Sequence, residues 1–292
     1  MCMSFVAAVL LVSLFGPSLS AVEEPVLSAA AEQQPETMSL LETELYAPSF
    51  PRDVRANLEA NVSSTRAAYE KDKTNVDAAI AYVRAQVAIG HVGDALESLA
   101  RAIEVQPDDQ RLVLERAKAL VIYRKLDAAE RDARKALETL PEASCTLGLT
   151  LYLKMQFPES RAAFEKCATP SVFKYLADRR AGGSAVQRPD LSVLTDEAAA
   201  SDIKFPGSVS SHPEKPKKTM TAAYVEAAET IATEKKPPSH GKKDPAEDTL
   251  KEIVEKNGNR WMEPIYIAAE ADYARILKAE GKFRKPAGRK KR

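Results

Sequence analysis

Two stretches of the chain carry the same order of small and apolar positions, set 34 residues apart and each closed by a proline. Reading back from Pro107 gives Ala102, Leu99, Ala95, Val92 and Gly90, preceded by an apolar stretch over 80–87. Reading back from Pro141 at the same offsets gives Ala136, Ala133, Ala129 and Leu126, preceded by Leu120 and Ala117. Spacings of three and four residues mark one face of an α-helix, so each stretch predicts a pair of helices. Proline lacks an amide hydrogen and cannot continue a helix, so Pro107 and Pro141 each end a pair. A third stretch, with Gly148, Leu151, Phe157, Ser160, Phe164 and Cys167, keeps the pattern once the connection near Pro141 is shortened. Residues 52–75 predict a helix and turn before the first pair, with Ala68 and Tyr69 at its packing positions. Residues 171–180 predict one more helix, stopped by Gly182 and Gly183.

Two helices approach within about 8 to 10 Å only where the crossing residues are small, so Ala95, Ala102, Ala117, Ala129 and Ala136 are the expected contact points. This arrangement resembles the tetratricopeptide repeat, two antiparallel helices per unit with small residues at the crossing and a proline after the second helix. The turns at 70–78 and 106–112 are similar to the inter-repeat turns of exported bacterial proteins of that family whose role is unassigned. The resemblance implies an all-α fold, a tetratricopeptide-like alpha-alpha superhelix over 50–181. Its units fall at about 76–109, 110–140 and 141–169, with a partial unit before and a capping helix after.

Outside that block the pattern changes. Residues 5–15 form an apolar run followed by a helix break and small residues through Ala21, the arrangement of a secretory signal peptide over 1–20, although no Lys or Arg precedes the run. The expected protein is therefore exported, periplasmic or extracellular, with a signal-anchored form as the lesser alternative. No other stretch is long and apolar enough to span a bilayer. Residues 21–49 read as a flexible leader, within which 38–46 predicts a short helix. The Ser, Pro, Asp and Lys of 182–218 read as a disordered linker. Residues 219–281 predict C-terminal helices: one over 219–235 with Tyr224, Ala227, Ala228 and Ile231 on one face, then a hairpin. The hairpin pairs 248–256 with a helix from Pro264 to Gly281, striped by Tyr266, Ala269, Tyr273, Ile276 and Leu277 and bordered by Asp272. Trp261 and Met262 sit in its turn, and the hairpin is too small for a core of its own, so it is expected to dock on the helical stack or on a partner. Residues 282–292 form a basic tail.

Charge balances to zero over the whole chain, which gives no bias toward nucleic acid. Cys145 and Cys167 both fall in the third unit and are a candidate disulfide, placed to face each other across an antiparallel pair. The three histidines, His91, His212 and His240, are far apart, so no metal site is expected. There is no glycine-rich phosphate loop, no nucleophile elbow and no metal-ligand helix motif, so neither enzyme activity nor a cofactor is expected.

The expected function is that of a protein-interaction scaffold. The family resemblance implies a concave groove lined by the first helix of each unit and holding a peptide or protein segment. The matching positions are Ile80, Arg84 and Val87, then Arg111, Leu114, Lys118 and Val121, then Leu149 and Tyr152. This mixed apolar and basic set suits an acidic, apolar peptide. Asn is missing from these positions, which counts against the carboxylate-gripping mode of chaperone-type relatives. Two alternatives are self-assembly, with the C-terminal helices in the groove of the same or a neighbouring molecule, and envelope attachment through the basic tail.

Overall fold

Short connections of three to six residues join eight successive helices, so each helix folds back on the one before it. They are α1 (Arg52–Lys71), α2 (Val76–Ala88), α3 (Val92–Val105), α4 (Gln110–Ile122), α5 (Leu126–Leu137), α6 (Ala143–Leu153), α7 (Phe157–Glu165) and α8 (Val172–Arg180). Three more follow: α9 (Met220–Thr233), α10 (Glu247–Lys256) and, after the short 3-10 turn Gly258–Arg260, α11 (Pro264–Ala279). The structure is a computed structural model and describes residues 34–168, 171–190, 219–233, 244 and 246–283. The expected signal peptide, the first part of the leader, most of the linker and all but the first residues of the basic tail lie outside the described residues. Among the described residues the protein is all-α apart from one small hairpin, and no helix is long and apolar enough to cross a membrane.

The helix ends explain the regularity. Asn75, Asp109 and Ser171 each accept a backbone amide hydrogen at the start of α2, α4 and α8, satisfying donors that have no partner within the helix. At the other end, α2, α4, α6 and α8 share one closure. The Gly90 and His91 amides donate to Val87 and Gln86, those of Arg124 and Lys125 to Val121 and Leu120, those of Met155 and Gln156 to Tyr152 and Leu151, and those of Gly182 and Gly183 to Arg179 and Asp178. This is the Schellman motif, and it puts one residue per helix in the left-handed region: Gly90, Arg124, Met155 and Gly182. Only two of the four are glycine, so the chain accepts a cost of about 1 kcal/mol or more at Arg124 and Met155.

Helices α2, α4, α6 and α8 each touch the next in this odd-skipping series as well as their sequence neighbours. Ala95, Ala102, Ala117, Ala129 and Ala136 are all buried. At the α6–α7 crossing Gly148 faces the Phe164 ring, and a Cβ there would lie 2.9 Å from it. The Ser160 hydroxyl donates to the Gly148 carbonyl at 2.7 Å. Cys145 and Cys167 are joined by a disulfide between the start of α6 and the end of α7. At the other end of the stack Tyr69 of α1 is buried and stacks on Tyr82, whereas Ala68 is exposed.

Two expectations are corrected. Residues 38–46 form no helix: Thr37–Met38 (β1) pairs antiparallel with Glu44–Leu45 (β2). The Ser39 hydroxyl accepts the Leu41 and Thr43 amides, which closes a tight turn in competition with a helical one. Pro48 and Pro51 then keep the chain extended up to α1. The second correction concerns α11, which is more than a striped amphipathic helix. Residues 264–272 are buried all round, and so is every residue of α6. A helix buried on every side is a core helix, and these two are in contact with each other.

Gly148→Ala is expected to lower stability by about 1 to 3 kcal/mol through overpacking against Phe164, measured as a drop in thermal midpoint. An unchanged midpoint would mean that the α6–α7 crossing has room to spare.

Candidate functional site

The residues expected to line a groove are placed as follows. Ile80, Val87, Leu114, Val121, Leu149 and Tyr152 are all buried, so none of them is an exposed anchor. Arg84 donates to both oxygens of Glu115, at 2.6 and 3.3 Å, and Lys118 donates to the same carboxylate at 2.8 Å. Burial raises the Glu115 pKa, but the hydrogen bonds and charges of Arg84 and Lys118 outweigh it and hold the group below its usual range. Arg111 pairs with Asp109 and Asp77. The structure therefore brings Arg84 and Lys118 together, through a carboxylate that the sequence reading had not included, and leaves Arg84 and Arg111 half-exposed.

At its α6 end that face meets the C-terminal helices, through groups that local periodicity did not reveal, whereas Leu114 is buried within the stack beside Val113, Ala136 and Ala143. Tyr152, at the end of α6, meets Tyr224 of α9 with hydroxyls 3.0 Å apart, and Tyr224 donates to Asp272 of α11 at 2.9 Å. Tyr224 spends its hydrogen on the carboxylate, so Tyr152 donates to Tyr224. Arg180, at the end of α8, completes the cluster with a two-pronged bond to Asp272 at 2.9 and 3.0 Å. Its guanidinium lies 4.4 Å from the Phe157 ring centre and 6.0 Å from that of Tyr152. Both members of the pair are almost fully buried, at 3% and 5% side-chain exposure. Burial pushes the Tyr152 phenol up to about 12, and burial together with the Asp272 charge raises Tyr224 well above its ordinary value.

A second pair lies one turn-row away. Arg124, the left-handed residue after α4, donates to Glu270 of α11 at 2.8 and 3.0 Å and to the Trp261 carbonyl at 2.8 Å. Side-chain exposure is 3% for Arg124 and 0% for Glu270. The other Glu270 oxygen accepts the Leu40 amide at 2.7 Å. Residues two apart on a helix point about 200° away from each other. Glu270 and Asp272 therefore grip opposite sides, and α11 is clamped between the turn after α4 and the end of α8.

The N-terminal hairpin straps this assembly. Trp261 donates its indole hydrogen to the Tyr46 carbonyl at 2.7 Å, and Asn259 exchanges two hydrogen bonds with the Ser49 backbone. Thr37 donates to the Tyr123 carbonyl at 3.1 Å. At Gly90 a Cβ would stand 2.3 Å from Pro48 Cδ, so glycine is needed there for space as well as for backbone angle. At the far side Glu229 of α9 binds Arg188 through both oxygens and accepts from the Tyr175 hydroxyl of α8.

No group of His, Cys, Asp and Glu among the described residues has the arrangement of a metal site. Comparison with known proteins found no matching family model, no matching curated protein and no matching solved structure. The class defined by the geometry is an all-α protein in which a stack of helical hairpins encloses its own C-terminal helix.

Arg180→Met is expected to cost about 3 kcal/mol in urea unfolding by leaving the buried Asp272 without its two-pronged ion pair, with only the Tyr224 hydroxyl and the more distant Arg275 beside it. Adding Asp272→Leu should recover part of the loss. A single-variant loss below about 1 kcal/mol would show a solvated pair. A second prediction concerns alkaline pH. The folded Tyr152 pKa of about 12 lies above the ordinary phenol value of 10.0, so the folded state holds the proton that the unfolded chain releases. Its stabilising contribution is complete below pH 10 and is lost as pH rises toward 12. Ultraviolet titration should show Tyr152 ionising only together with unfolding.

Proposed function

We propose that this protein is a non-enzymatic interaction scaffold of tetratricopeptide-like architecture whose groove is filled by its own C-terminal helices. The observation that carries this reading is the burial of α11 against α6, with Glu270 and Asp272 each paired to an arginine at the end of a different helix of the stack. The repeated Schellman closure and the alanine crossings support the repeat architecture. The reading in which the C-terminal helices occupy the groove of the same molecule is favoured over an open peptide groove, because Tyr152 at the α6 end already meets Tyr224 and α11 packs on α6. The face that remains for a peptide or protein partner is the charged, half-exposed surface of α2 and α4, with Asp77, Arg84, Arg111 and the bound Lys118. The signal-like start supports export, and no cofactor belongs to this reading.

Two experiments test it. The chain ended at residue 190 should bind a hydrophobic dye and self-associate in light scattering, because α6 loses its cover; a dye-free, cooperatively folding monomer would overturn the self-filled groove. Crosslinking capture from the envelope fraction should lose a protein when R84A, R111A and K118A are combined in the full chain. Recovery of an unchanged set would remove the α2–α4 face from consideration.

A further inference from the structure

Helix α8 stands apart from the other members of its series. Helices α2, α4 and α6 are each followed by a second helix that packs back on them, whereas the residues after Gly183 are not helical through Asp190. Yet α8 carries much of the grip on the C-terminal helices. Arg180 binds Asp272, Tyr175 binds Glu229, and Phe173 packs edge-on against Tyr152 at 5.2 Å between ring centres. Its bracing within the stack comes from α6 and α7. These two helices are cross-linked by the disulfide, with Cys145 in the first turn of α6 and Cys167 two residues beyond the end of α7. The bond thus fixes the point from which α8 departs, and through α8 it reaches the clamp on α11.

We propose that the Cys145–Cys167 disulfide is a redox-sensitive latch on the C-terminal helices, which close over the stack when it is oxidised and loosen when a dithiol reduces it. This regulation rests on the self-filled groove proposed above. In the reducing step a thiolate of the dithiol attacks one sulfur, forming a mixed disulfide, and the other cysteine leaves as a thiolate and takes up a proton. The second thiol of the reductant then displaces the first cysteine. Two electrons pass to the protein, and the dithiol becomes a disulfide. Cys145 and Cys167 are only 7% and 5% exposed, so attack follows local opening at the α7 end, and a folded, oxidised chain resists reduction. Once reduced, the 22-residue loop is no longer closed covalently. The chain-entropy cost regained shifts the local opening equilibrium on the order of a hundredfold.

Hydrogen exchange followed by mass spectrometry on the full chain, before and after dithiothreitol, tests the latch. The expected result is exchange on the order of a hundredfold faster in α8 and α11, with α2 to α5 keeping their protection and reoxidation restoring the original pattern. The double variant Cys145→Ser, Cys167→Ser should show the loosened pattern without reductant and no response to it. Uniform acceleration over all helices, acceleration confined to α6 and α7, or no change would each overturn the latch. None of these results touches the self-filled groove itself, which the truncation at residue 190 tests separately.

Discussion

Two carboxylates of α11 are held inside the protein, and the rest of the architecture is arranged around that fact. Removing a charge from water costs several kcal/mol even after relaxation, so Glu270 and Asp272 are tolerated only because each meets an arginine in good geometry. A well-packed apolar helix would be about as stable. What the charges add is a single permitted position. Sliding α11 by one turn would bring apolar or small residues to Arg124 and Arg180 and leave four buried charges without partners. The helix is therefore locked in register by groups at the ends of two different helices of the stack, and the N-terminal hairpin shares in the lock through the Leu40 amide.

The stack supplies this lock by repetition. One closing turn recurs at the ends of α2, α4, α6 and α8, so its left-handed residue appears as a row along one edge. The same backbone position serves three purposes. At Gly90 it lets Pro48 approach closely, at Arg124 it launches a guanidinium into the core, and at Gly182 it ends the stack. A backbone motif defined by two hydrogen bonds tolerates this variety because its geometry, and not its side chain, carries the repeat.

Much of the helical layout is legible in the chain because spacing, caps and small crossing residues are local signals. The proline-closed stretches around Pro107 and Pro141 translate directly into α2 to α5, and Pro264 and Gly281 bracket α11. The hairpin at 37–45 is not legible that way, since a single serine hydroxyl turns a helix-compatible stretch into a turn. The candidate site is harder still. Val87, Val121, Leu149 and Tyr152 do occupy one face, but periodicity cannot say whether water, a partner or a distant part of the same chain covers it. The signal that did exist was chemical: two acids two residues apart at the end of the otherwise apolar stretch from Ile265 to Asp272, too costly to bury without partners.

The pairing of α6 with α11 also has a bearing on how the molecule is made. Leu153 and Pro264 are 111 residues apart in the chain, so the two core helices come from well-separated stretches of the polypeptide. During synthesis the early hairpins emerge and pack one by one, while the apolar surface of α6 stays wet until nearly the last segment arrives. The nascent chain thus spends more than a third of its production time with that surface bare, which favours an attendant that binds unfinished polypeptide.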